Sequence, residues 1–283
     1  MPTPEFVVAT DAAVDLPPSC KVTNIIPVAI NTPTESWLYP TEITLPQLLE
    51  RLTPDAKFTS SAASLHDYGV IYDALNNQRV FSVHTGSHTS AVKNVAQIKS
   101  AEYKGRVTVY DTLNGSVPAG IIVERADQAS KQGLTVQDAI DVLDLLRDRV
   151  IAIAVPDDDL TYLVNSKRAS GVKARIAETL HVRPIIKLIK GYIGQFELVR
   201  NKKAADRVSE LLTELHEKKR IKQLFAITSG TSTLMEDVIN RLIQNNFPIP
   251  FVRTTMNPAV IVNCGPNTIG FGAETELPVH DIF

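Results

Sequence analysis

One strand–loop–helix stretch decides the fold class: Val80-Phe81-Ser82-Val83-His84-Thr85-Gly86-Ser87-His88-Thr89-Ser90-Ala91. The apolar run Val80–Val83 predicts a buried strand, and helical spacing over Thr89–Ser100 predicts the helix that follows it. Between them lie small hydroxyl residues and a glycine, which are typical of loops that connect secondary-structure elements. Open parallel sheets bind ligands beyond the carboxyl ends of their strands, so this loop is a candidate ligand site.

Four further apolar runs on either side of this unit predict strands: Phe6–Ala9, Ile25–Ile30, Val107–Tyr110 and Ile151–Val155. Further helical patterns lie over Leu45–Leu52, with Thr44 as its N-cap, and from Thr135 onward. Strands that alternate with helices predict a mostly parallel sheet covered on both faces. We assign this α/β domain to residues 1–155.

The remainder of the chain, 156–283, predicts a second domain of a different kind. Pro156-Asp157-Asp158-Asp159 breaks the alternation, and Ile185–Arg200 predicts a hairpin that turns at Lys190-Gly191. Its other predicted elements are a helical stretch near Leu160–Asn165, helices over Ala204–Lys218 and Leu234–Asn245, and strands over Leu224–Ile227 and Phe251–Thr254. A hairpin beside helices indicates a mixed or antiparallel sheet. Two unlike domains leave a cleft between them, where ligands usually bind.

Composition and charge exclude several classes of protein. The 283 residues carry a net charge of −2, which gives no reason to expect nucleic acid, because phosphate binding needs clustered positive charge. The first residues lack the features of a signal peptide, and no apolar run approaches the ~20 residues that cross a bilayer. The two cysteines, Cys20 and Cys264, suggest neither a disulfide framework nor a zinc site. We therefore expect a cytoplasmic protein that is not an integral membrane protein and holds no metal.

Small polar residues recur where the predicted strands and helices end. They form Thr10-Asp11-Ala12, the Phe58–Ser64 stretch and Asp111–Ser116, in addition to the loop after Val83. Hydroxyls and backbone N–H groups at helix starts receive anionic oxygens, which indicates carboxylate or phosphate recognition. Ordinary caps and turns use the same residues, so both interpretations stay open. The sequence contains no P-loop, dinucleotide fingerprint or Gly-x-Ser-x-Gly motif, which counts against a nucleotide enzyme and a serine hydrolase.

Taken in order, these stretches resemble the DegV family over essentially the whole chain. The family's Thr-Asp-Ser and Asp-Leu-Pro are similar to Thr10–Ala12 and Asp15–Pro17, and its Leu-Ser-Gly-Thr-x-x-Ser-Ala is similar to His84–Ala91. Its Thr-Ser-x-Pro-Ser is similar to Thr59–Ser64, and its closing His-x-Gly-Pro to Asn263–Pro266.

Two family segments lie between these stretches. The family's Asp-Ser/Thr-x-x-x-Ser-x-x-x-Gly is similar to Asp111-Thr112 with Ser116 and Gly120, and its Leu-x-Tyr-Leu-x-x-x-x-Arg to Leu160–Leu163 with Arg168. Each motif alone is short, but their common order and spacing identify the fold.

The resemblance implies a Rossmann-like parallel-sheet domain followed by a second α/β two-layer domain. It also implies a long-chain fatty acid as bound ligand, with no cofactor and no catalysis by this chain. The family includes fatty-acid-binding subunits of bacterial fatty-acid kinases, so a partner kinase would phosphorylate the bound carboxylate. Carried onto this sequence, the residues that hold the ligand are Thr59, Ser60, Thr85, Gly86, Ser87, Asn263 and Arg168.

Two features of this sequence keep alternatives open. Asn263 stands where the family has His, which removes a potential positive charge, while His84 and His88 flank the central loop. The fold also resembles the substrate-binding part of dihydroxyacetone kinases, where a histidine engages a small carbonyl, and either histidine is a candidate for that role. Another lipid or small acid is a further alternative. Two groups of basic residues are interpreted either as a docking surface for an acidic partner or as a solvated helix face with its ends: Arg200, Lys202, Lys203 and Arg207, and then Lys218, Lys219, Arg220 and Lys222.

Overall fold

The computed structural model describes residues 4–156, 160–166 and 182–280. The strands in these residues are β1 Val7–Asp11, β2 Asn24–Ile26, β3 Val28–Asn31, β4 Ser36–Tyr39, β5 Thr59–Ala62, β6 Val80–His84, β7 Val107–Asp111, β8 Val150–Val155, β9 Val182–Ile189, β10 Tyr192–Arg200, β11 Ile221–Thr228, β12 Phe251–Thr255 and β13 Ile269–Thr275. The α-helices are α1 Leu45–Arg51, α2 Leu65–Ala74, α3 Val92–Ser100, α4 Ser116–Lys131, α5 Val136–Leu146, α6 Thr161–Asn165, α7 Ala204–Lys219, α8 Thr233–Gln244 and α9 Pro258–Cys264.

The first sheet confirms the predicted parallel arrangement. Its strand order is β2-β1-β6-β7, and every neighbouring pair is parallel. Helices α2 and α3 pack on one face through Tyr68, Tyr72 and Ala96. On the other face, α4 and α5 pack against Phe6 and Phe81, whose rings meet edge to face at 5.5 Å. This is the covered sheet that alternating strands and helices predict.

Polar caps fix where several helices begin. The Thr44 hydroxyl caps α1, as predicted, and the Gln47 side-chain oxygen accepts a hydrogen bond from the Thr44 backbone N–H. Thr135 and Asp138 form the same reciprocal pair at the start of α5. Each pair satisfies backbone groups that a helix leaves without partners inside itself.

The apolar run Ile25–Ile30 forms two strands instead of the predicted single one. β2 joins the first sheet beside β1, whereas β3 pairs antiparallel with β4 and β5 in a separate three-stranded sheet. Pro27 stands between β2 and β3 and has no backbone N–H to continue a ladder. The chain therefore changes sheets at this proline. The small residues of β5 were predicted as a loop and are the edge strand of this added sheet.

The second sheet is mixed, as predicted. Its strand order is β10-β9-β8-β13-β11-β12, and only β11 and β12 are parallel. The β9–β10 hairpin turns at Lys190-Gly191, where φ is 49° and 73°, the left-handed conformation that tight hairpins require. Helices α7 and α8 cover one face with Leu211, Leu212 and Val238 among their buried side chains. The sheet and these helices form the expected two-layer domain.

The strand predicted at Ile151–Val155 forms as β8 but does not belong to the parallel sheet. It pairs antiparallel with β13 and β9 in the second sheet. Such pairing between distant segments leaves no mark in local periodicity. The assignment of this strand to the first domain is therefore wrong, and the pairing favours a division between α5 and β8. The division into 1–155 and 156–283 otherwise stays a prediction.

Helix α4 connects the two main sheets and depends on two close approaches. It contacts β1 and β6 of the first sheet and β8 and β13 of the second. A Cβ at Gly120 would stand 2.0 Å from the Asp15 carbonyl oxygen, and a Cβ at Gly272 would stand 2.6 Å from Val117. A side chain would clash at either position. Glycine therefore lets α4 approach the Asp15 backbone at Gly120 and lets the Val117 side chain approach β13 at Gly272. In the part of the chain that is described, no helix is long and apolar enough to cross a membrane.

Substituting Gly120 with alanine tests this packing. Alanine favours a helix by about 1 kcal/mol over glycine, but the clash with backbone atoms costs more. We expect Gly120→Ala to lower the free energy of unfolding by about 2 kcal/mol or more in urea titrations. Gly230 has no heavy atom within 4 Å of its Cβ position, so Gly230→Ala is the matched control and should change stability by less than about 1 kcal/mol. Equal effects would contradict the close approach at α4.

Candidate functional site

The described residues enclose a cavity where the two main sheets face each other. Water-sized molecules could place their centres in about 160 Å³ of it. The second sheet supplies an apolar wall that includes Ala152, Ala154, Ile186, Leu188 and Ile227. Among the described residues, the rest of the lining comes from the loops after β1, β6 and β7, from β3 and β5, from α6 and the start of α4, and from Met256 and α9. The site therefore lies at the edge where open parallel sheets bind ligands.

The polar part of the lining is made of hydroxyls and an amide. Its members are Ser60, Ser61, Thr85, Thr89, Ser90, Ser116 and Asn263. None of the described lining residues carries an ionisable acid or a basic side chain. A ligand of this cavity is therefore mostly apolar, with a small polar group that meets the hydroxyls.

The structure brings together three of the residues that the sequence predicted. Ser60, Thr85 and Asn263 all line the cavity, and the Asn263 amide nitrogen donates to the Ser60 hydroxyl over 3.3 Å. Asn263 also donates to the Ala259 carbonyl over 2.6 Å, which fixes the orientation of its amide. Residues 203 positions apart in sequence thus meet at one wall of the cavity.

The other predicted residues occupy different places. Thr59 is exposed and is not part of the cavity lining, whereas Ser60 and Ser61, the next two residues of β5, line the cavity. Gly86 and Ser87 shape the loop instead of lining the cavity. A Cβ at Gly86 would stand 2.7 Å from the backbone of Leu113, and the Ser87 N–H donates to the Asp111 carboxylate over 3.2 Å. Arg168 lies outside the described residues, and its role stays a prediction.

Sequence reasoning did not assign four lining hydroxyls to the site: Ser61, Thr89, Ser90 and Ser116. All four belong to the polar stretches that the sequence showed. Ser116 carried the clearest signal, because it occupies the serine position of the segment that begins at Asp111. The proximity of Ser116 to the other loops depends on the fold and could not be predicted from the spacing of residues along the sequence.

Several lining hydroxyls already give their hydrogens to protein acceptors. Thr85 donates to the Asp11 carboxylate over 2.9 Å, and Thr89 donates to the Gly86 carbonyl over 3.0 Å. The Ser60 hydroxyl makes a longer bond of 3.5 Å to the Ala259 carbonyl. A hydroxyl has only one hydrogen, so these three groups present oxygen lone pairs to a ligand.

A buried chain of hydrogen bonds holds Asp11 and therefore Thr85. The Tyr72 hydroxyl lies 2.8 Å from Ser82 Oγ, Ser82 Oγ lies 2.7 Å from His84 Nε2, and His84 Nδ1 lies 3.0 Å from Asp11 Oδ2. Burial raises the pKa of Tyr72 to about 12, so Tyr72 keeps its proton and can donate it to Ser82. The chain is satisfied throughout if Ser82 then donates to Nε2 and Nδ1 donates to Asp11.

The hydrogen-bonded side chains of Ser82, His84 and Asp11 follow the order of a catalytic Ser-His-Asp triad, but a ligand cannot reach them. Ser82 and His84 are 0% exposed, Asp11 is 1% exposed, and none of them lines the cavity. A nucleophile must reach its substrate, so the arrangement positions the loop and performs no acyl transfer on a ligand of the cavity.

His88 is exposed and stacks on Tyr192 with ring centres 4.3 Å apart. Neither histidine is placed to engage a small carbonyl in the cavity.

A second buried carboxyl, Asp15, lies behind the lining. Its side chain is bonded to Ser116 Oγ over 2.5 Å and accepts from the Asn257 backbone N–H over 2.6 Å. Burial raises the pKa of Asp15 to about 6, while the hydrogen bonds from Ser116 and Asn257 act in the opposite direction. Asp15 therefore changes its charge near neutral pH.

The fold and the cavity define an α/β protein with a candidate ligand site between its two main sheets. The chain belongs to the DegV family: the family model, described as an uncharacterised protein, DegV family, matches residues 5–276. A DegV domain-containing protein of Staphylococcus aureus is 23% identical over 278 residues, which cover 93% of this chain and 96% of the relative.

Solved structures of the same fold cover nearly the whole chain. A DegV family protein from Thermus thermophilus, described for fatty acid binding, aligns with a TM-score of 0.82 and 22% identity over 96% of this chain and 99% of its own. A fatty acid binding DegV family protein from Streptococcus agalactiae aligns with a TM-score of 0.83 and 20% identity over 95% and 98%. The fatty acid kinase (Fak) B3 protein of Streptococcus pneumoniae, loaded with linoleic acid, aligns with a TM-score of 0.76 and 16% identity over 95% and 99%. These likenesses confirm the fold class that the sequence predicted.

Replacing each histidine separately tests their different surroundings. We expect His84→Ala to lower the free energy of unfolding by about 2–4 kcal/mol, because it leaves a cavity and removes the partners of Ser82 and Asp11. His88→Ala removes only a contact at the surface and should cost less than about 1 kcal/mol. Urea titrations measure both, and similar values for the two variants would contradict the buried chain.

The raised pKa of Asp15 predicts a dependence of stability on pH. Between its ordinary value of 3.8 and about 6, the folded state binds more protons than the unfolded state, so stability falls as the pH rises through this window. Asp15→Asn removes this loss. Its stability relative to the wild type should therefore rise by about 2 kcal/mol from pH 4 to pH 7. The exposed Asp237→Asn variant should show no such trend, and a flat difference for Asp15→Asn would contradict the assignment.

Proposed function

We propose that this protein binds a long-chain fatty acid in the cavity between its two main sheets and presents the carboxylate to a partner kinase. It would act in the cytoplasm as a carrier, without catalysis or cofactor of its own. The observation that carries this proposal is a cavity that is apolar over the second sheet and lined by hydroxyls at the loops of the first. Relatives of the same fold with fatty acid binding in their descriptions support the choice of ligand.

The apolar wall accounts for most of the expected affinity. Burying roughly 15 methylenes gives about 12 kcal/mol before costs, at ~0.8 kcal/mol for each group. Association and ordering remove several kcal/mol of this gain. A hydrogen bond to a charged carboxylate adds about 1.5–3 kcal/mol. The tail therefore dominates binding, and the head group decides which end of the ligand meets the hydroxyls.

Donors for a carboxylate are present at the polar end. Ser61 Oγ accepts from the Asn31 amide over 3.2 Å and Ser90 Oγ accepts from the Val92 N–H over 3.4 Å, so each hydroxyl can donate its hydrogen to a ligand. Helix α4 begins on the cavity wall with Gly115 as its N-cap. Glycine has no side chain to satisfy the first N–H groups of the helix, and the helix dipole favours an anion there.

The proposal of a partner kinase is supported by the likeness to the Fak B3 protein. The basic residues near Arg200 do not add to it as a docking surface. Arg207 bonds to Glu197, Glu210 and Glu214 at 2.7–3.3 Å, and Lys203 lies 3.3 Å from Asp206. These pairs favour the solvated-face interpretation of this stretch, so the proposal assigns no docking role to it.

Native mass spectrometry of protein purified from bacteria tests the ligand. We expect an additional bound mass of roughly 230–300 Da, which corresponds to about 15 methylenes with a carboxyl group. Ala154→Phe fills the cavity and should purify without this mass, whereas the same substitution at the exposed Ala101 should retain it. Circular dichroism confirms that both variants are folded. An empty wild-type protein that also refuses added oleate and palmitate would contradict the proposal.

A further inference from the structure

Asp15 and Ser116 connect a buried carboxyl to the wall of the cavity. Asp15 is 2% exposed and does not line the cavity, whereas Ser116 does. Their side-chain oxygens lie 2.5 Å apart, although the residues are 101 positions apart in sequence. At this separation the two oxygens are hydrogen-bonded, and the protonation of Asp15 decides which oxygen supplies the hydrogen.

The direction of this hydrogen bond sets what Ser116 offers to a ligand. An ionised Asp15 can only accept, so the Ser116 hydroxyl donates to it and presents lone pairs to the cavity. A protonated Asp15 can donate to Ser116 Oγ, and the serine hydrogen then turns toward the cavity. The same serine thus repels a carboxylate in one state and binds it in the other.

The other partners of Asp15 hold the acid in place in both states. Asp15 Oδ1 accepts from the Asn257 backbone N–H over 2.6 Å and from its amide over 2.8 Å. Asn257 also donates to the Ala13 carbonyl over 2.8 Å and caps α9, so it cannot turn away easily. Oδ2 is therefore the oxygen that gains or loses the proton, and it is the one that faces Ser116.

Ser116 makes its contact with Asp15 from a strained backbone conformation. Its φ is 53°, the left-handed region that non-glycine residues avoid at a cost of roughly 1–2 kcal/mol. The residue begins α4 immediately after Gly115, and the Thr89 hydroxyl lies 3.8 Å from where a Cβ on Gly115 would stand. Ser116 is thus held next to the other hydroxyls of the polar end.

Charged and titratable groups around Asp15 are few and mostly paired. Asp11 and Arg253 line the same surface depression as Asp15. Asp11 lies 3.0 Å from His84, and Arg253 is bonded to Glu236 at 2.7 and 2.8 Å. Tyr39 of β4 also lines this depression, and burial together with the charge of Asp15 raises the pKa of its hydroxyl. Asp11 and Asp15 are each bonded to a hydroxyl of the cavity, Thr85 and Ser116 respectively, and Asp11 is also bonded to His84.

We propose that Asp15 is a positioning residue for the ligand's head group, which acts through Ser116 and makes carboxylate binding dependent on a proton. The inference rests on the proposed fatty-acid function and adds its regulation. Uptake of a proton by Asp15 turns Ser116 into a donor and strengthens binding, and loss of that proton weakens it. Because Asp15 has a pKa of about 6, the change falls between mildly acidic and neutral conditions.

Oleate affinities of wild type and Asp15→Asn, measured from pH 5.5 to 8 by displacement of a fluorescent fatty acid, test the proposal. Asparagine keeps the shape of the protonated acid, accepts from Asn257 and donates to Ser116 at every pH. The ratio of the two affinities at each pH cancels the ligand's own titration. We expect Asp15→Asn to bind about tenfold more tightly than wild type at pH 8, and the ratio to approach one at pH 5.5.

Measuring Asp15→Asn in the Ser116→Ala background distinguishes an effect that acts through the Ser116 hydroxyl from a direct effect of the Asp15 charge. In this background the advantage of Asp15→Asn at pH 8 should disappear, because no hydroxyl remains to turn. An advantage that persists undiminished would overturn the role of Ser116, and a ratio that stays constant with pH would overturn that of Asp15. The charge-matched control Asp237→Asn on α8 should follow the wild type at every pH.

A measurement on the wild type and Ser116→Ala covers the case in which Asp15→Asn does not fold. Calorimetric titration with a long-chain alkyl sulfonate in two buffers of different ionisation heat counts the protons taken up on binding. The sulfonate takes up none itself, so a net uptake at pH 7 that Ser116→Ala abolishes supports the proposal, and no uptake overturns it. If neither oleate nor the sulfonate binds to any of the proteins, the proposed function itself fails. Binding without dependence on Asp15 or Ser116 removes only this inference.

Discussion

The close packing of α4 between two sheets is the constraint on which the rest of the structure depends. The helix touches the first sheet through β1 and β6 and the second through β8 and β13. Gly120 lets the Asp15 backbone approach α4, and Gly272 lets Val117 approach β13. This packing places the start of α4, with Gly115 and Ser116, on the cavity wall. The same approach brings Asp15 within reach of Ser116, so the fold and the chemistry of the site share one cause.

The ligand groups that this cavity can bind depend on the direction of its hydrogen bonds as well as on its shape. Thr85, Thr89 and Ser60 donate inward to protein acceptors. A carboxylate needs donors, and a wall of lone pairs would oppose it. Ser61, Ser90 and the first turn of α4 can supply donors, and Ser116 joins them when Asp15 holds a proton. The buried chain behind Thr85 keeps that hydroxyl in its accepting orientation, which leaves Asp15 as the adjustable member.

Sequence predicted the parts of this structure that local patterns encode. Alternating strands and helices gave the parallel sheet, Thr44 and Thr135 marked helix starts, and Lys190-Gly191 marked the hairpin turn. It did not predict α4, because most of that helix is buried and it shows little contrast between its faces. It also missed β5, whose four small residues carry no apolar alternation.

In the site too, features that depend on neighbouring residues were predicted, whereas contacts between residues far apart in sequence were not. The polar loops were visible in the sequence, and the prediction that Ser60, Thr85 and Asn263 share one site followed from the resemblance to the DegV family. Thr59 was predicted together with Ser60 from the resemblance, but of β5 only Ser60 and Ser61 line the cavity. The pairing of Asp15 with Ser116 joins positions 101 residues apart and depends on the packing of α4, so no spacing rule could reveal it. For the same reason, β8 could not be assigned to its sheet before its partners were known.

The most direct measurement of the central claim is a crystal structure of the protein with a bound fatty acid at a pH below 6. The account predicts an acyl chain along β8 and β9, with a carboxylate oxygen within about 2.6–3.2 Å of Ser116 Oγ. A carboxylate at the opposite end of the cavity, or a ligand bound elsewhere while the cavity holds only water, would contradict it.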